Sequence, residues 1–415
     1  MAKLFYDLSV NFYSGAILFA SLFNKKAKRF IDGRKDQWKK ISRAAAENHK
    51  PVAWFHCASL GEFEQGRPVM EAFKENYQQY AIFLTFFSPS GYEIRKNYEG
   101  ADFVFYLPLD NVSNAEKLIR MIKPSIAFFI KYEFWYYYLK ELHSKKIPTI
   151  LFSAIFRENQ LFFRKHGRFY RQMLDFYNHI FVQNQKSAEL LSAIGIKNVE
   201  VSGDTRFDRV KQICSKPKEV EIAKKFAEGQ NVMVLGSTWM SDMEIVEPLL
   251  NDQKIALKYI IAPHNISNNE MNQIEKMLNR KSIRFSKAEL NEIDEYDILI
   301  IDNIGMLSSL YQYGILAYIG GAFRKALHNT LEAATYGIPV LFGNDETNNK
   351  FQEAIDLARE GAAFPITDIE HLVETVKKLL NDAGDYQQAA QAASRYIERK
   401  TGATEMILQH IKTLL

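Results

Sequence analysis

VAWFHCASLGEFEQGRP, residues 52–68, decides the fold: a β-prone run from Val52 to Cys57, a turn of small residues with a glycine, and the start of a helical stretch. A strand with one wet face alternates apolar and polar residues, so a continuous run belongs to a parallel sheet covered on both faces. The turn ASLGEFEQGRP (58–68) opens a helix whose first N–H groups lack partners along the chain, and Glu62 falls in that first turn, facing a cleft. Such a glutamate is usually a cap favoured by the helix dipole. Its place at the end of a strand also makes it a candidate base.

The same unit repeats outward from this stretch. Strand candidates are the apolar runs at 81–86, 103–107, 126–130, 149–153 and 179–183, with periodic helical segments such as 63–76 and 113–122 between them. The pattern pauses near 203–230, where KPKEVEIAKKFAEG intervenes, and restarts at 232–235, 259–262, 298–301, 316–319 and 339–342. Two such runs predict an α/β chain of two doubly wound, Rossmann-like domains with a ligand cleft where the carboxyl ends of their strands face each other. The expected boundaries are 1–45 for an N-terminal anchor and basic segment, 46–205 and 206–395 for the two domains, and 396–415 for the end of a helix, around 384–413, that crosses back to the first domain.

Composition sets limits on function. The 415 residues are 47% hydrophobic and 25% charged, which excludes a disordered chain and a polytopic membrane protein. Two cysteines, Cys57 and Cys214, make no disulfide framework or zinc motif, so a reducing compartment is expected. The net charge of +4 is too small for a dedicated nucleic-acid binder, and no nucleic-acid partner is expected. The charge is, however, unevenly placed. LFYDLSVNFYSGAILFASLF (4–23) is apolar with a polar stripe of Asp7, Asn11 and Ser14, and between Lys25 and Arg43 stand nine basic residues against two acidic ones. An apolar helix followed by cations suits an anionic membrane surface and a cytoplasmic position; a core helix followed by a solvated basic one is the plainer alternative. LFFRKHGRFYR (161–171) repeats the mixture of aromatics and cations.

Two further constellations and three smaller signals follow strands. In IKYEFWYYYL (130–139), Lys131, Glu133, Trp135 and three tyrosines read either as a sugar-binding wall or as core. In YIGGAFRKALHNTLEAATYGIPVLFG (318–343), a glycine pair precedes Arg324 and Lys325, and His328, Asn329 and Glu332 open a helix. Glycines admit close approach, cations and a helix start suit phosphate, and a glutamate can accept both hydroxyls of a ribose. GSTWMSD (236–242), APHN (262–265) and IDNIGML (301–307) end neighbouring strands, with His264 either a phosphate or base ligand or a structural loop residue. None of these loops has metal-ligand spacing, so no metal is expected.

Taken in order, FHCASLGEFEQGRP, LTFFSPSGYEIRK, YLPLD, PSIAFFIKYEFW, VSGDTRFD, LGSTW, APH, IGML, GGAF and HNTLEAATYGIPVLFG resemble the 3-deoxy-D-manno-octulosonic acid (Kdo) transferases of lipopolysaccharide synthesis. The resemblance implies a GT-B glycosyltransferase that moves Kdo from CMP-Kdo to the lipid A precursor at the cytoplasmic face of the inner membrane. It makes Glu62 the proton acceptor and gives Arg206 charge stabilisation of the leaving group; Lys131, where the family has a glutamate, is read from its own position as a second cation for the leaving phosphate and the Kdo carboxylate. Ala262, Pro263 and His264, then Gly305, Met306 and Leu307, then Asn329, Thr330, Leu331 and Glu332 would bind CMP. The family's Pro-Arg-His is Ala262-Pro263-His264 here, its Glu-Thr-Glu-Leu-Trp is Lys131-Tyr132-Glu133-Phe134-Trp135, its Gly-Gly before His-Asn is Ala326-Leu327, and the histidine of Ser-Thr-His is Trp239. The alternatives are a GT-B transferase using a UDP-sugar on a lipid or polysaccharide, and a nonenzymatic membrane-surface scaffold.

Overall fold

The computed structural model describes residues 2–323, 326–345 and 351–415; Arg324 and Lys325 lie outside them. The chain forms two units, Met1–Arg209 with Thr401–Leu415, and Val210–Lys400.

The first unit holds β1 (Val52–Cys57), β2 (Ala81–Phe86), β3 (Phe103–Tyr106), β4 (Pro124–Ile130), β5 (Thr149–Ala154), β6 (His179–Val182) and β7 (Val199–Val201). They pair in parallel in the order β3-β2-β1-β4-β5-β6-β7. Chain direction across the sheet reverses between β1 and β4, the point at which loops diverge and leave a crevice for ligands. All six residues of β1 are buried, as its continuous pattern requires. Ala53, Phe55 and Cys57 pack on one side with Phe63, Val69 and Phe73, whereas Val52 and Trp54 pack on the other with Phe129 and Tyr138. Fully burying one such aromatic contributes about 1.5–3 kcal/mol.

Four helices frame the start of this unit: α1 (Ala2–Ala20), α2 (Lys25–Asp32), α3 (Gln37–Glu47) and α4 (Leu60–Asn76). α4 lies close on the sheet because position 66 is glycine; a Cβ there would stand 3.0 Å from Ile130 Cγ1. α1 docks through one stripe. Tyr6 donates its hydroxyl to Asp110, Tyr137 donates to Asp7, and Tyr13 stacks on Phe87 at 5.8 Å. Its other face presents Leu4, Phe5, Leu8, Phe12 and Phe19 to solvent, continued by Leu22 and Phe23. Among the described residues no helix is long and apolar enough to cross a membrane.

The second unit holds β8 (Val232–Thr238), β9 (Lys258–Pro263), β10 (Ser282–Arg284), β11 (Ile298–Ile300), β12 (Leu316–Ile319), β13 (Val340–Gly343) and β14 (Ala363–Ile366). The order is β10-β11-β9-β8-β12-β13-β14, again parallel, and direction reverses between β8 and β12.

Two local expectations change. The helix expected over 384–413 is two helices, Ala383–Lys400 and Ala403–Lys412, because Gly402 takes φ 110°, which ends a right-handed helix. The helix expected from His328 begins at Leu331 and ends at Thr335. Asn329 accounts for the late start, since its Oδ1 accepts from Leu331 N at 3.1 Å and holds the preceding residues in a turn.

Candidate active site

Both crevices are lined by residues that follow parallel strands. In the first unit, β1 runs through Ala58 into the N-cap Ser59 of α4. Ser59 gives α4 no side-chain cap; its hydroxyl donates instead to the Glu62 carboxylate. The result is a half-buried carboxylate above first-turn N–H groups that no side chain caps, an arrangement that keeps the carboxylate oriented and the amides open to an anion.

Lys131 sits across the reversal point, directly after β4. It takes φ 73°, donates its N–H to Phe152 O at 3.0 Å, and keeps Nζ 5.4 Å from the Tyr132 ring. Burial raises the Tyr132 phenol above its ordinary range, with the charges of Arg157 and Glu62 acting on it in opposite senses. Arg157 therefore belongs to this rim, and nothing in its own stretch of sequence marked it.

Arg206 reaches the rim through α4. Its Nε lies 2.9 Å from Asp204 Oδ2, and Asp204, 6% exposed, accepts from Gln65 Nε2 at 3.2 Å. Thr205 closes the joint by donating to the Gln65 carbonyl. Gln65 is one turn beyond Glu62, so the same helix orients the carboxylate and fixes the segment carrying the guanidinium.

Glu133 is not a surface carboxylate. At 1% exposure it accepts from the Trp135 indole and lies 3.0 Å from His56 Nε2, while Nδ1 of that histidine is 2.9 Å from Thr85 Oγ1. Tyr136, Tyr137 and Tyr138 are buried as well. These aromatics are core, and the sugar-wall alternative falls for the three tyrosines.

In the second unit, β8 ends in a bulge at Ser237 (φ 54°) and leads to Trp239. Asp242, fully buried, ties this loop to the glycine loop after β12: one carboxylate oxygen accepts from Trp239 N at 2.8 Å and Gly321 N at 2.9 Å, and the other from the Tyr318 hydroxyl at 3.2 Å. Burial raises this carboxyl above its ordinary range, with the two N–H groups opposing the shift. Gly320 has to be glycine, since a Cβ would meet Ser237 O at 2.5 Å and Thr238 Cα at 2.6 Å.

Ala262 and Pro263 end β9 in buried positions, and His264 stands exposed beyond them, its N–H donating to Thr238 O at 2.8 Å. Gly305 turns with φ 98° ahead of Met306 and the one-turn helix Leu307–Leu310. Leu307 belongs beside the end of β8, because a Cβ on Gly236 would be 3.1 Å from its Cδ1. Asn329 Nδ2 donates to Glu332 Oε1 at 3.0 Å, which holds that carboxylate near the exposed turn. Thr330 and Leu331 are buried beneath it. All ten expected donor-site positions thus lie at or just beyond the carboxyl ends of β9, β11 and β12. Among the described residues no group of three His, Cys, Asp or Glu side chains has metal-holding geometry.

Residues 34–209, a span that includes α4 and Glu62, match the family model described as 3-deoxy-D-manno-octulosonic-acid transferase (kdotransferase). The chain is 28% identical over 346 residues to the 3-deoxy-D-manno-octulosonic acid transferase of Aquifex aeolicus, covering 82% of this chain and 89% of that protein. Against the protein of the same name from Rickettsia bellii it is 23% identical over 425 residues, 99% of each.

The chain is similar to the Kdo transferases along most of its length.

It is accordingly a glycosyltransferase. Solved structures agree on the fold. A UDP-GlcNAc 2-epimerase from Neisseria meningitidis superposes with TM-score 0.59 at 15% identity, covering 88% of this chain and 100% of that one. MurG of Acinetobacter baumannii gives 0.55 at 13%, covering 88% and 99%. The chain thus has the GT-B fold, with one doubly wound sheet in each unit.

Proposed function

We propose that the protein transfers Kdo from CMP-Kdo to the sugar head of a lipid A precursor (lipid IVA) at the cytoplasmic face of the inner membrane. The observation that carries this reading is the family match over residues 34–209, which spans the α4 turn holding Glu62. In the reaction Glu62 takes the proton of the acceptor hydroxyl, the oxygen attacks the anomeric carbon, and the bond to phosphate breaks with its electron pair leaving on CMP. One base and no nucleophile give direct displacement with inversion. A positioned base of this kind contributes about 10²- to 10⁴-fold in rate.

Arg206 and Lys131 offset the negative charge of the Kdo carboxylate and the leaving phosphate, for which fixed cations outperform reorienting water. Ala262, Pro263, His264, Gly305, Met306, Leu307, Asn329, Thr330, Leu331 and Glu332 hold CMP, with Glu332 accepting the ribose hydroxyls. No resident cofactor or metal is required. The apolar outer face of α1 and the cations of α2 and α3 rest on anionic lipid, where the acceptor's sugars emerge.

The test is to incubate the full chain with CMP-Kdo and a tetra-acylated lipid A precursor and to weigh the product lipid by mass spectrometry, which also counts the sugars added. Addition of Kdo by wild type, with loss in Glu62→Ala, is expected. No transfer by wild type, or full activity in a correctly folded Glu62→Ala, overturns the proposal. Stabilisation by UDP and not by CMP in a thermal-shift titration favours the UDP-sugar alternative.

A further inference from the structure

We infer that Trp239 is a positioning residue for the donor nucleotide, holding His328 with its Nδ1–H turned to the phosphate. The inference rests on the reading that the second unit binds CMP. It adds two residues, Trp239 and His328, to those proposed to bind donor.

Three rings from three separate loops meet at the carboxyl end of the second sheet. Trp239 and His328 lie edge to edge, with centroids 6.4 Å apart and planes 18° from parallel, and indole Nε1 is 3.2 Å from His328 Nε2. His264 lies across both, 4.1 Å from the Trp239 ring at 24° and 4.7 Å from the His328 ring at 28°. Backbone bonds set this assembly. His264 N donates to Thr238 O at 2.8 Å, His328 N donates to Gly320 O at 3.2 Å, and Asp242 joins the Trp239 and Gly321 amides.

The tautomer follows from donor chemistry. An indole N–H only donates, so Nε2 of His328 has to be the acceptor and the ring proton sits on Nδ1. Burial, with the nearby His264, holds the His328 imidazolium below its ordinary range, in keeping with a neutral ring. Stacking beneath His264 prevents the ring from flipping, and an N–H lies in its ring plane. Nδ1–H therefore leaves the stack sideways as a fixed donor, beside the Asn329–Glu332 turn that the donor reading assigns to the ribose. A neutral, oriented donor suits a phosphate oxygen without adding charge that would hold CMP after transfer.

The experiment is calorimetric titration of CMP and of cytidine into the full chain, comparing wild type, Trp239→Phe, His328→Asn and His328→Gln. Asparagine carries its amide near the place of Nδ1, whereas glutamine reaches the place of Nε2. Losing one hydrogen bond to a charged oxygen is expected to weaken CMP about tenfold in Trp239→Phe and His328→Gln, while His328→Asn stays within about threefold of wild type. Cytidine, which lacks the phosphate, should bind all four alike, a pattern that a merely structural loss cannot produce. Unchanged CMP affinity in Trp239→Phe and His328→Gln, or equal losses in the Asn and Gln variants, overturns the inference while leaving the donor reading intact. Failure of wild type to bind CMP at all overturns both.

Discussion

Removing the Asp242 carboxylate should loosen the loops at the carboxyl end of the second sheet. In Asp242→Ala, the Trp239 and Gly321 amides lose a shared acceptor bonded at 2.8 and 2.9 Å, and the Tyr318 hydroxyl loses its partner at 3.2 Å. Each buried polar group left without a partner costs about 1–3 kcal/mol, so two amides and a hydroxyl, partly relaxed, come to about 3–5 kcal/mol. Asparagine is a different perturbation. Its carbonyl can keep both amides and its NH2 can meet the Tyr318 oxygen, so the cost should stay under about 1.5 kcal/mol. The sign with pH is fixed by burial: the carboxyl is raised above its ordinary value, so its contribution to stability is full below the unfolded value and is lost as pH rises through the folded one. Asparagine has no proton to lose and should be flat across that window. Scanning calorimetry checks this, since about 3–5 kcal/mol in a unit of this size lowers the midpoint by roughly 6–20 °C. Equal midpoints for the Ala and Asn variants would refute the reasoning.

Two further outcomes are expected. Tyr6→Phe removes the hydroxyl that donates to Asp110, whose carboxyl burial pushes up to about 6, and the loss of about 1.5–3 kcal/mol should raise hydrogen exchange across residues 2–20 at least tenfold; unchanged exchange there would show that α1 is held otherwise. The His179 and His410 rings meet at 4.1 Å with their planes tilted by 36°, and burial lowers both imidazolium pKa values, further for His179 through His410 and against the pull of Glu200. The unfolded chain then takes up protons first, so the first unit is at full stability above about pH 6.5 and loses it as pH falls below that value; His410→Gln should flatten the decline, and an unaltered melting profile between pH 7 and 5 would count against the pair.

How much the sequence reveals depends on where a segment sits in its sheet. The interior strands were legible because burial on two faces demands an unbroken apolar run, as in VAWFHC and AIFLTF. The unforeseen strands, VEV at β7, SIR at β10 and AFPI at β14, are all edges. An edge pairs on one side only, so three or four residues of mixed polarity suffice, and such a run resembles a loop. Motif order located the strand ends beyond which Glu62, Arg206 and Asn329 stand, yet it left Glu133 between surface and core. Its burial depends on His56 and Trp135, one of them on another strand. The contact of Trp239, His264 and His328 is likewise set by strand order, which no spacing along the chain records.

The break at Gly402 has a consequence for synthesis. Beyond it, Asp208 accepts from Gly402 N at 2.6 Å and Thr404 N at 2.7 Å, and Ile407 and Ile411 enter the same apolar cluster as Phe55 and Phe63. A ribosome has made every strand of the first unit by Val201, but the piece that closes its core is translated only after the entire second unit. The earlier half must therefore wait with an open apolar face while the later half is made, which reverses the usual N-terminal-first order of domain completion.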